Sequence, residues 1–351
     1  MNIEIIQDII PEVIEGFKLY AHETSRNFDE DSWLYWYKNN PYGDGVHGLA
    51  MDRGKVIGFY SLIPTEMCIA NSTLIGAKGE FLVIHPDYRR KSLPNSKVPL
   101  AFDLVRITNQ EAYKYNIDAV FTTATKVATL CHQYSGAKTF EFECQMFYTS
   151  FSYPKIGSRL SPIKRALIRN AVLVSTYILR FPLKLKSFKI KSTRNAFTKI
   201  ENLSINDFYN DKETNYLVYP NSKMINFRFP KGKYIKYYNE KNHNYLIFTK
   251  PKHNNQVILK AWSSLDLSED EFESVFIDLF EECRNYGAES VSMIIPNDDL
   301  SQYSEFWKYG FLSKKTFSNF NLYSRNSNIF NDLKKYKWKI NEAHIGYIGF
   351  E

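Results

Sequence analysis

The run Gly79-Glu-Phe-Leu-Val-Ile-His-Pro-Asp-Tyr-Arg-Arg-Lys-Ser-Leu-Pro94 concentrates the residue types that could do chemistry. An apolar strand ends at His85-Pro86, and three consecutive cations, Arg89, Arg90 and Lys91, then enter a turn that opens a helix. Free amides and positive charge at such a turn suit a phosphate. Strand, basic turn and helix are common together, so on general grounds this is an anion site and nothing narrower. Elsewhere Cys131 adjoins His132. Neighbours on a helix face different ways, so a Cys/His nucleophile pair is not indicated.

The elements that must position these residues can be read from the pattern. From Ile3 to Thr149 strand-like and helix-like stretches alternate, as in an α/β or mixed α+β domain. A helix over Pro11–Glu23 and the aromatic stretch Ser32–Tyr37 lead to a hairpin, Gly48–Met51 and Val56–Ile63, with Asp52-Arg-Gly-Lys55 as its turn. Strands follow at Met67–Ala70 and Glu80–Ile84, a helix from about Ser96 to Tyr115, a strand at Asp118–Thr123, a helix at Val127–Gln133 and a strand at Glu143–Ser150. A similar order recurs in weaker form after Lys199. Tyr245–Thr249 and Gln256–Trp262 form a hairpin, then come a helix (Glu269–Tyr286), a strand (Ser290–Ile295), a helix (Ser301–Lys308) and a strand (Asn319–Tyr323). The expected division is 1–150, a basic connecting segment 151–200, and a degenerate second copy 201–351.

Composition narrows the function classes. The chain has 351 residues, 44% hydrophobic and 24% charged, which is the make-up of a folded protein with room for two cores. The four cysteines lie far apart, with no zinc-ligand spacing and no disulfide framework, so no metal is expected. The opening residues lack a basic n-region and carry acids, which points to a cytoplasmic protein. The apolar run Ala171–Leu179 is far short of the roughly 20 residues that span a bilayer. Within 151–200 there are twelve Lys or Arg and no Asp or Glu, so the rest of this +7 chain is net negative by five. Such local basicity argues against a nucleic-acid binder. An anionic leaflet, the phosphates of a ligand or partner, and a solvated connector all remain open for that segment.

The hairpin turn Asp52-Arg-Gly-Lys-Val-Ile-Gly-Phe59, the run Val83-Ile-His-Pro-Asp-Tyr-Arg-Arg-Lys91 and the helix before Gly136 together resemble the GNAT superfamily of acyl-CoA-dependent N-acyltransferases over about the first 150 residues. The resemblance implies two GNAT-like domains, each a twisted, mostly antiparallel sheet flanked by helices, with acyl-CoA as donor and no metal. The family's pyrophosphate turn maps to Arg89, Ser92 and Pro94, with Ser and Pro where glycines are usual. Grip on coenzyme A would then be shared with Arg90, Lys91, Asn95 and Ser96, and the pantetheine would lie along Leu82, Val83 and Ile84. The position of the family's thiolate-protonating tyrosine, four residues before Gly136, falls on His132, whose ordinary pKa near 6.5 suits proton transfer. Tyr134 is the second candidate. Glu80 stands where relatives often carry the base.

In the second copy Phe306 takes the proton-donor position, so that copy reads as noncatalytic and as a wall of the acceptor pocket. Trp33 and Trp36, before an Asn-Pro-x-Gly turn, are similar to enzymes of bacterial surface-polysaccharide assembly. This implies N-acylation of a nucleotide-linked amino sugar, dTDP- or UDP-borne, by direct attack on the thioester. Tyr219, Arg228 and Trp262 are candidates to contact that acceptor. An aminoacyl or peptide-bridge transferase of the double-GNAT type, an acetyltransferase for proteins or small amines, a noncatalytic binding module, and an acyl carrier protein as donor stay open, as does the oligomeric state.

Overall fold

The computed structural model describes residues 1–26, 29–69, 72–123, 125–151, 161–187, 197–203, 214–216, 221–263, 265, 267–297, 306–326, 329–330 and 337–339. In chain order the elements are β1 (Asn2–Ile6), α1 (Pro11–Glu23), α2 (Glu30–Lys38), β2 (Val46–Asp52), β3 (Lys55–Ile69), β4 (Ser72–Ile84), α3 (Leu100–Glu111), β5 (Ala119–Thr122), α4 (Lys126–Tyr134) and β6 (Lys138–Ser150). Then come α5 (Pro162–Ser187), β7 (Thr198–Ile200), β8 (Thr214–Tyr216), α6 (Ser222–Arg228), β9 (Tyr234–Asn239), β10 (Asn244–Thr249), β11 (Gln256–Trp262), α7 (Glu269–Asn285), β12 (Ser290–Pro296), β13 (Leu312–Ser324) and β14 (Lys337–Lys339).

The main sheet runs β1-β2-β3-β4-β5-β13-β6-β12-β11-β10-β9-β7. Two copies of one plan are visible in it. In the first, β3 and β4 are antiparallel and β4 pairs β5 in parallel; in the second, β10 and β11 are antiparallel and β11 pairs β12 in parallel. The copies are interleaved at the centre. β13, from the second, pairs with β5 of the first, and β6, from the first, pairs with β12 of the second. β6 and β13 in turn pair with each other from Leu312↔Tyr148 to Leu322↔Lys138. Among the described residues β6 thus pairs only with strands that lie beyond position 201.

Helices cover both faces of the first copy. On one, Phe17 and Tyr20 of α1 and Trp36 and Tyr37 of α2 pack on Phe59, Phe81 and Phe121. On the other, Leu100 and Leu104 of α3 and Cys131 of α4 pack on Ile57, Tyr60, Leu62 and Val120. The second copy has its own core, in which Phe272, Val275, Phe276 and Leu279 of α7 meet Leu259, Val291 and Met293. The short α6 crosses back into the first core with Met224 and Phe227. Its N-cap Asn221 accepts from the Met224 amide and donates to Tyr42 Oη (2.6 Å), which fixes α6 to the loop after α2.

Three differences from the sequence reading have physical causes. The strand expected at Met67–Ala70 is the end of one long strand, β3, which carries Pro64 because that residue lies past Leu62, where the register with β2 ends. The helix expected from Ser96 starts at Leu100: Pro99 disfavours helical conformation at Val98 and has no N–H to give to a turn begun at Ser96, and Leu100 N–H donates to Lys91 C=O at 2.8 Å. The basic segment contains α5, a helix of 26 residues. Residues 301–305 of the expected Ser301–Lys308 helix lie outside the described residues, and Phe306–Tyr309 forms a single 3₁₀ turn.

Phe320 of β13 stacks between Phe140 and Phe142 of β6 at 4.9 and 5.4 Å and is 1% exposed. Phe320→Ala is expected to cost about 3–5 kcal/mol, read as a lowered urea midpoint. Because the interleaved strands tie both cores together, fluorescence and circular dichroism should report one coincident transition in the variant as in the parent.

Candidate active site

The parallel pairing of β4 with β5 lasts only from Gly76↔Ala119 to Lys78↔Phe121. Thr122 Oγ1 then donates to Gly79 C=O (2.9 Å), and beyond that point the strands part. The cause lies on the other side of β4. Phe59 pairs with Val83 and Ser61 with Glu80, so β4 carries one residue more than β3 here, a β-bulge with Phe81 at φ 61°. A phenylalanine is rarely held in the left-handed region. Here Phe17 and Tyr20 clasp its ring edge-on at 5.2 and 5.1 Å. The bulge swings Glu80–Ile84 away from β5 and leaves that side of their backbone without a strand partner.

The gap holds a cavity of about 130 Å³ whose lining includes Tyr60, Gly79, Glu80, Leu82, Thr122 and His132. Its walls come from both faces of the sheet: Tyr20 belongs to the α1 side, Tyr60 and His132 to the α3/α4 side. The opening between β4 and β5 is therefore a passage through the sheet. Two buried polar atoms in its lining, Tyr60 Oη and Glu80 Oε2, make no hydrogen bond among the described residues. A buried polar group left so is costly, and such groups mark places where a ligand completes the pairing.

Glu80 is held by its other oxygen, which forms an ion pair with the buried Lys78 ammonium. The buried Arg228 of α6 lies close enough to feel the Glu80 charge and to disfavour protonation of Lys78; Lys260 adds a weaker push of the same sign. Burial lowers the pKa of Lys78 and brings Arg228 down to about 10. At neutral pH Arg228 keeps its charge. The α1/α6 side of the passage thus sets one carboxylate among several cations.

The opposite side is uncharged. Burial pushes His132 down to about 3, and its ring sits 5.7 Å from that of Tyr60, whose phenol burial pushes upward. The ordinary pKa on which the sequence argument for His132 as an acid relied does not apply in this setting, since the imidazole is neutral at physiological pH. Tyr134 is half exposed on the outer side of α4 against Phe102 (5.5 Å) and does not line the passage.

The remaining candidates divide by location. Leu82 lines the passage, while Val83 and Ile84 are buried in the two flanking cores. Arg89 donates to Glu23 (2.7 Å) and to Ile84 C=O, Lys91 lies over the Tyr88 ring at 3.8 Å, and Arg90 and Asn95 are exposed. Ser92 is half-buried, and Ser96 Oγ accepts from the Val98 amide. These residues form one loop between β4 and α3. Trp36 packs on Phe227 (5.2 Å) in the first core, and Trp262 is buried in the second, so neither lines the passage. The Trp33 side chain and Tyr219 lie outside the described residues.

Sequence reasoning missed Tyr60, Lys78 and Thr122. A signal for Tyr60 was present, because a glycine inside a strand marks a close approach. A Cβ on Gly79 would fall 1.9 Å from Tyr60 Oη. The second copy has the same parting, its parallel pairing ending at Ile258↔Ser292. There Leu259, Trp262, Met293 and Ile295 are buried in one core with Phe272, Phe276 and Phe306. In place of Glu80, Thr122 and His132 of the first copy, the second sets these apolar side chains, with Lys260 half-buried beside them. Among the described residues no group of three or more His, Cys, Asp or Glu is placed to hold a metal ion.

No protein-family model matches the sequence, and no curated protein matches it either. Solved structures do match in fold. A conserved protein of unknown function from Enterococcus faecalis, described as a probable N-acyltransferase, superposes with a TM-score of 0.54 at 10% identity, over 95% of this chain and 74% of that one. A tandem GNAT protein from the clavulanic acid biosynthesis pathway gives 0.51 at 11% identity, over 92% and 98%. Saccharomyces cerevisiae N-myristoyltransferase with bound myristoyl-CoA gives 0.53 at 12% identity, over 99% and 82%. The chain has the two-copy GNAT fold.

Two measurements check this geometry. Gly79→Ala should displace Tyr60 and lower stability by about 1–3 kcal/mol, whereas Gly54→Ala, in open space at the hairpin turn, should not touch the passage. His47, also buried, is likewise pushed down to about 3. Unfolded, both histidines titrate near 6.5, so the stability held by keeping them neutral is whole above about pH 6.5 and is lost as pH falls toward 3. Each adds a slope of about 1.4 kcal/mol per pH unit in that window. Urea midpoints between pH 7 and 5 should fall less steeply in His132→Gln, by about one proton.

Proposed function

We propose that this protein is an N-acyltransferase that carries an acyl group from acyl-CoA to the amine of a nucleotide-linked amino sugar, in the assembly of a bacterial surface polysaccharide. The observation that carries the reading is the asymmetry between the copies. Both part their parallel strands, but among the described residues only the first lines the parting with a buried carboxylate and a phenol that each keep one oxygen without a hydrogen-bond partner.

The donor's thioester would lie in the passage. Backbone amides of Glu80–Ile84 on the side of β4 away from β3 would bond the pantetheine and hold the oxyanion, and the exposed cations Arg89, Arg90 and Lys91 would meet the pyrophosphate. Glu80 Oε2 takes a proton from the acceptor amine, the amine nitrogen bonds to the thioester carbon, and the C–S bond of the tetrahedral species breaks. The leaving sulfur then receives a proton from the α3/α4 side. Burial keeps Tyr60 protonated and His132 neutral, so that side presents O–H and N–H donors rather than an imidazolium. Through water in the passage, the proton that Glu80 took from the amine returns to Tyr60, which leaves both groups as they began and no net proton released.

The charge on the other side selects the acceptor. Lys78 and Arg228 outnumber Glu80, and a diphosphate is an anion that such a surplus favours. A peptide-bridge transferase of the double-GNAT type is the second reading; the basic helix α5, which suits a substrate at a membrane surface, favours it.

Thermal shift against coenzyme A, acetyl-CoA, dTDP, UDP and their amino sugars separates these readings, since a ligand at 100 times its Kd adds about 2.7 kcal/mol of stability. Stabilisation by coenzyme A and one nucleotide is the expected result; no response to coenzyme A would sink the donor assignment. Glu80→Gln and Tyr60→Phe should each slow thiol release by about 10²-fold. Because burial pushes His132 down to about 3, His132→Gln should leave the pH profile of the rate between pH 5 and 8 unchanged in shape.

A further inference from the structure

Among the described residues, α5 is held to the body along one side. Thr176 Oγ1 and Arg180 Nη2 both donate to Ser150 C=O, at 3.2 and 2.6 Å, and the Arg180 guanidinium lies 4.4 Å over the Phe151 ring. A Cβ on Gly310 would fall 2.0 Å from Arg180 Cγ, so the helix is seated closely on the turn before β13. The other side carries Ile163, Leu167, Val174, Tyr177 and Ile178, which are 55 to 75% exposed. Their spacing places them on one stripe about 22 Å long.

The charge around this stripe has a single sign. Six Lys or Arg and no acid lie in the helix itself, and the whole segment 151–200 is +12. Among the described residues no helix is long and apolar enough to cross a membrane. Large apolar side chains facing water in a row, on a helix whose only charged residues are cations, are the make-up of a helix that lies in the plane of an anionic leaflet. A second copy of this chain would bring another +12 segment to the same stripe, and charge opposes that contact.

We infer that α5 docks the protein on a membrane surface rich in anionic lipid, with Ile163, Leu167, Val174, Tyr177 and Ile178 entering the headgroup region and exposed cations of the helix such as Lys164 meeting lipid phosphates. The function follows from position: a helix lying on the bilayer surface holds the protein there. This assignment does not rest on the acyl-transfer reading, and its test uses no acyl donor.

The full-length protein is sedimented with vesicles of phosphatidylcholine alone or with phosphatidylglycerol, at 0.1 and 1 M NaCl. Cosedimentation with the anionic vesicles, weakened by salt, is expected. Leu167→Glu and Ile178→Glu should each weaken it about tenfold or more while the melting temperature stays within that of the parent. As an independent readout, Val174→Cys labelled with a polarity-sensitive fluorophore should shift to the blue on anionic vesicles. Absence of binding, Glu variants that bind as tightly as the parent, or a label that stays in water overturns the inference. A dimer in sedimentation velocity that the same substitutions dissolve would also overturn it, giving the stripe to a second copy.

Discussion

The antiparallel pairing of β6 with β13 is the contact on which the rest of the molecule depends. Each of these strands leaves its own copy and lies beside the inner parallel strand of the other, β13 on β5 and β6 on β12. Take either away and the sheet is cut between the copies, with a long edge of unpaired amides on both sides. The polar pair at the centre follows the same logic. Thr139 Oγ1 donates to Asn321 Oδ1 at 2.7 Å, across the two exchanged strands, so even the hydrogen bonds near the passage are built from residues far apart in sequence.

The passage is a local effect inside that frame. One extra residue in β4 turns a continuous parallel ladder into a forked one, and the rings of Phe17 and Tyr20 hold the strained Phe81 that makes the fork. Fold alone does not make the site, because the second copy forks too. What distinguishes the first copy is chemistry laid on the fork: Glu80 on one side, Tyr60 on the other, and a glycine between them too small to separate them.

Much of this was legible in the sequence. Alternating apolar residues located the hairpins, the Asp52–Lys55 turn and the parallel strands of both copies, and the recurrence of element order announced the duplication. Glu80 stood out as the one acid in an apolar run. Three things were not legible. Strand exchange leaves no trace in local periodicity, because β6 and β13 show the same pattern whichever neighbour they take. The shift at His132 comes from burial, which depends on α3 and α4 closing over Tyr60, and no count along a helix reports it. Lys78 reads as a surface lysine, since only α6, arriving from the second half, encloses it with Arg228.

The interleaving also sets an order on how the chain reaches its native state. Thr122 of β5 finds its ladder partner in Asn321, about 200 residues later. During synthesis the first copy therefore waits, its β5 edge open and the strand of the candidate site half supported, until β13 has left the ribosome. Contacts so distant in sequence carry a high closure cost and make folding slow. A protein built this way is exposed to misassembly for most of its synthesis, and chaperone supply rather than intrinsic stability would then limit its yield in the cell.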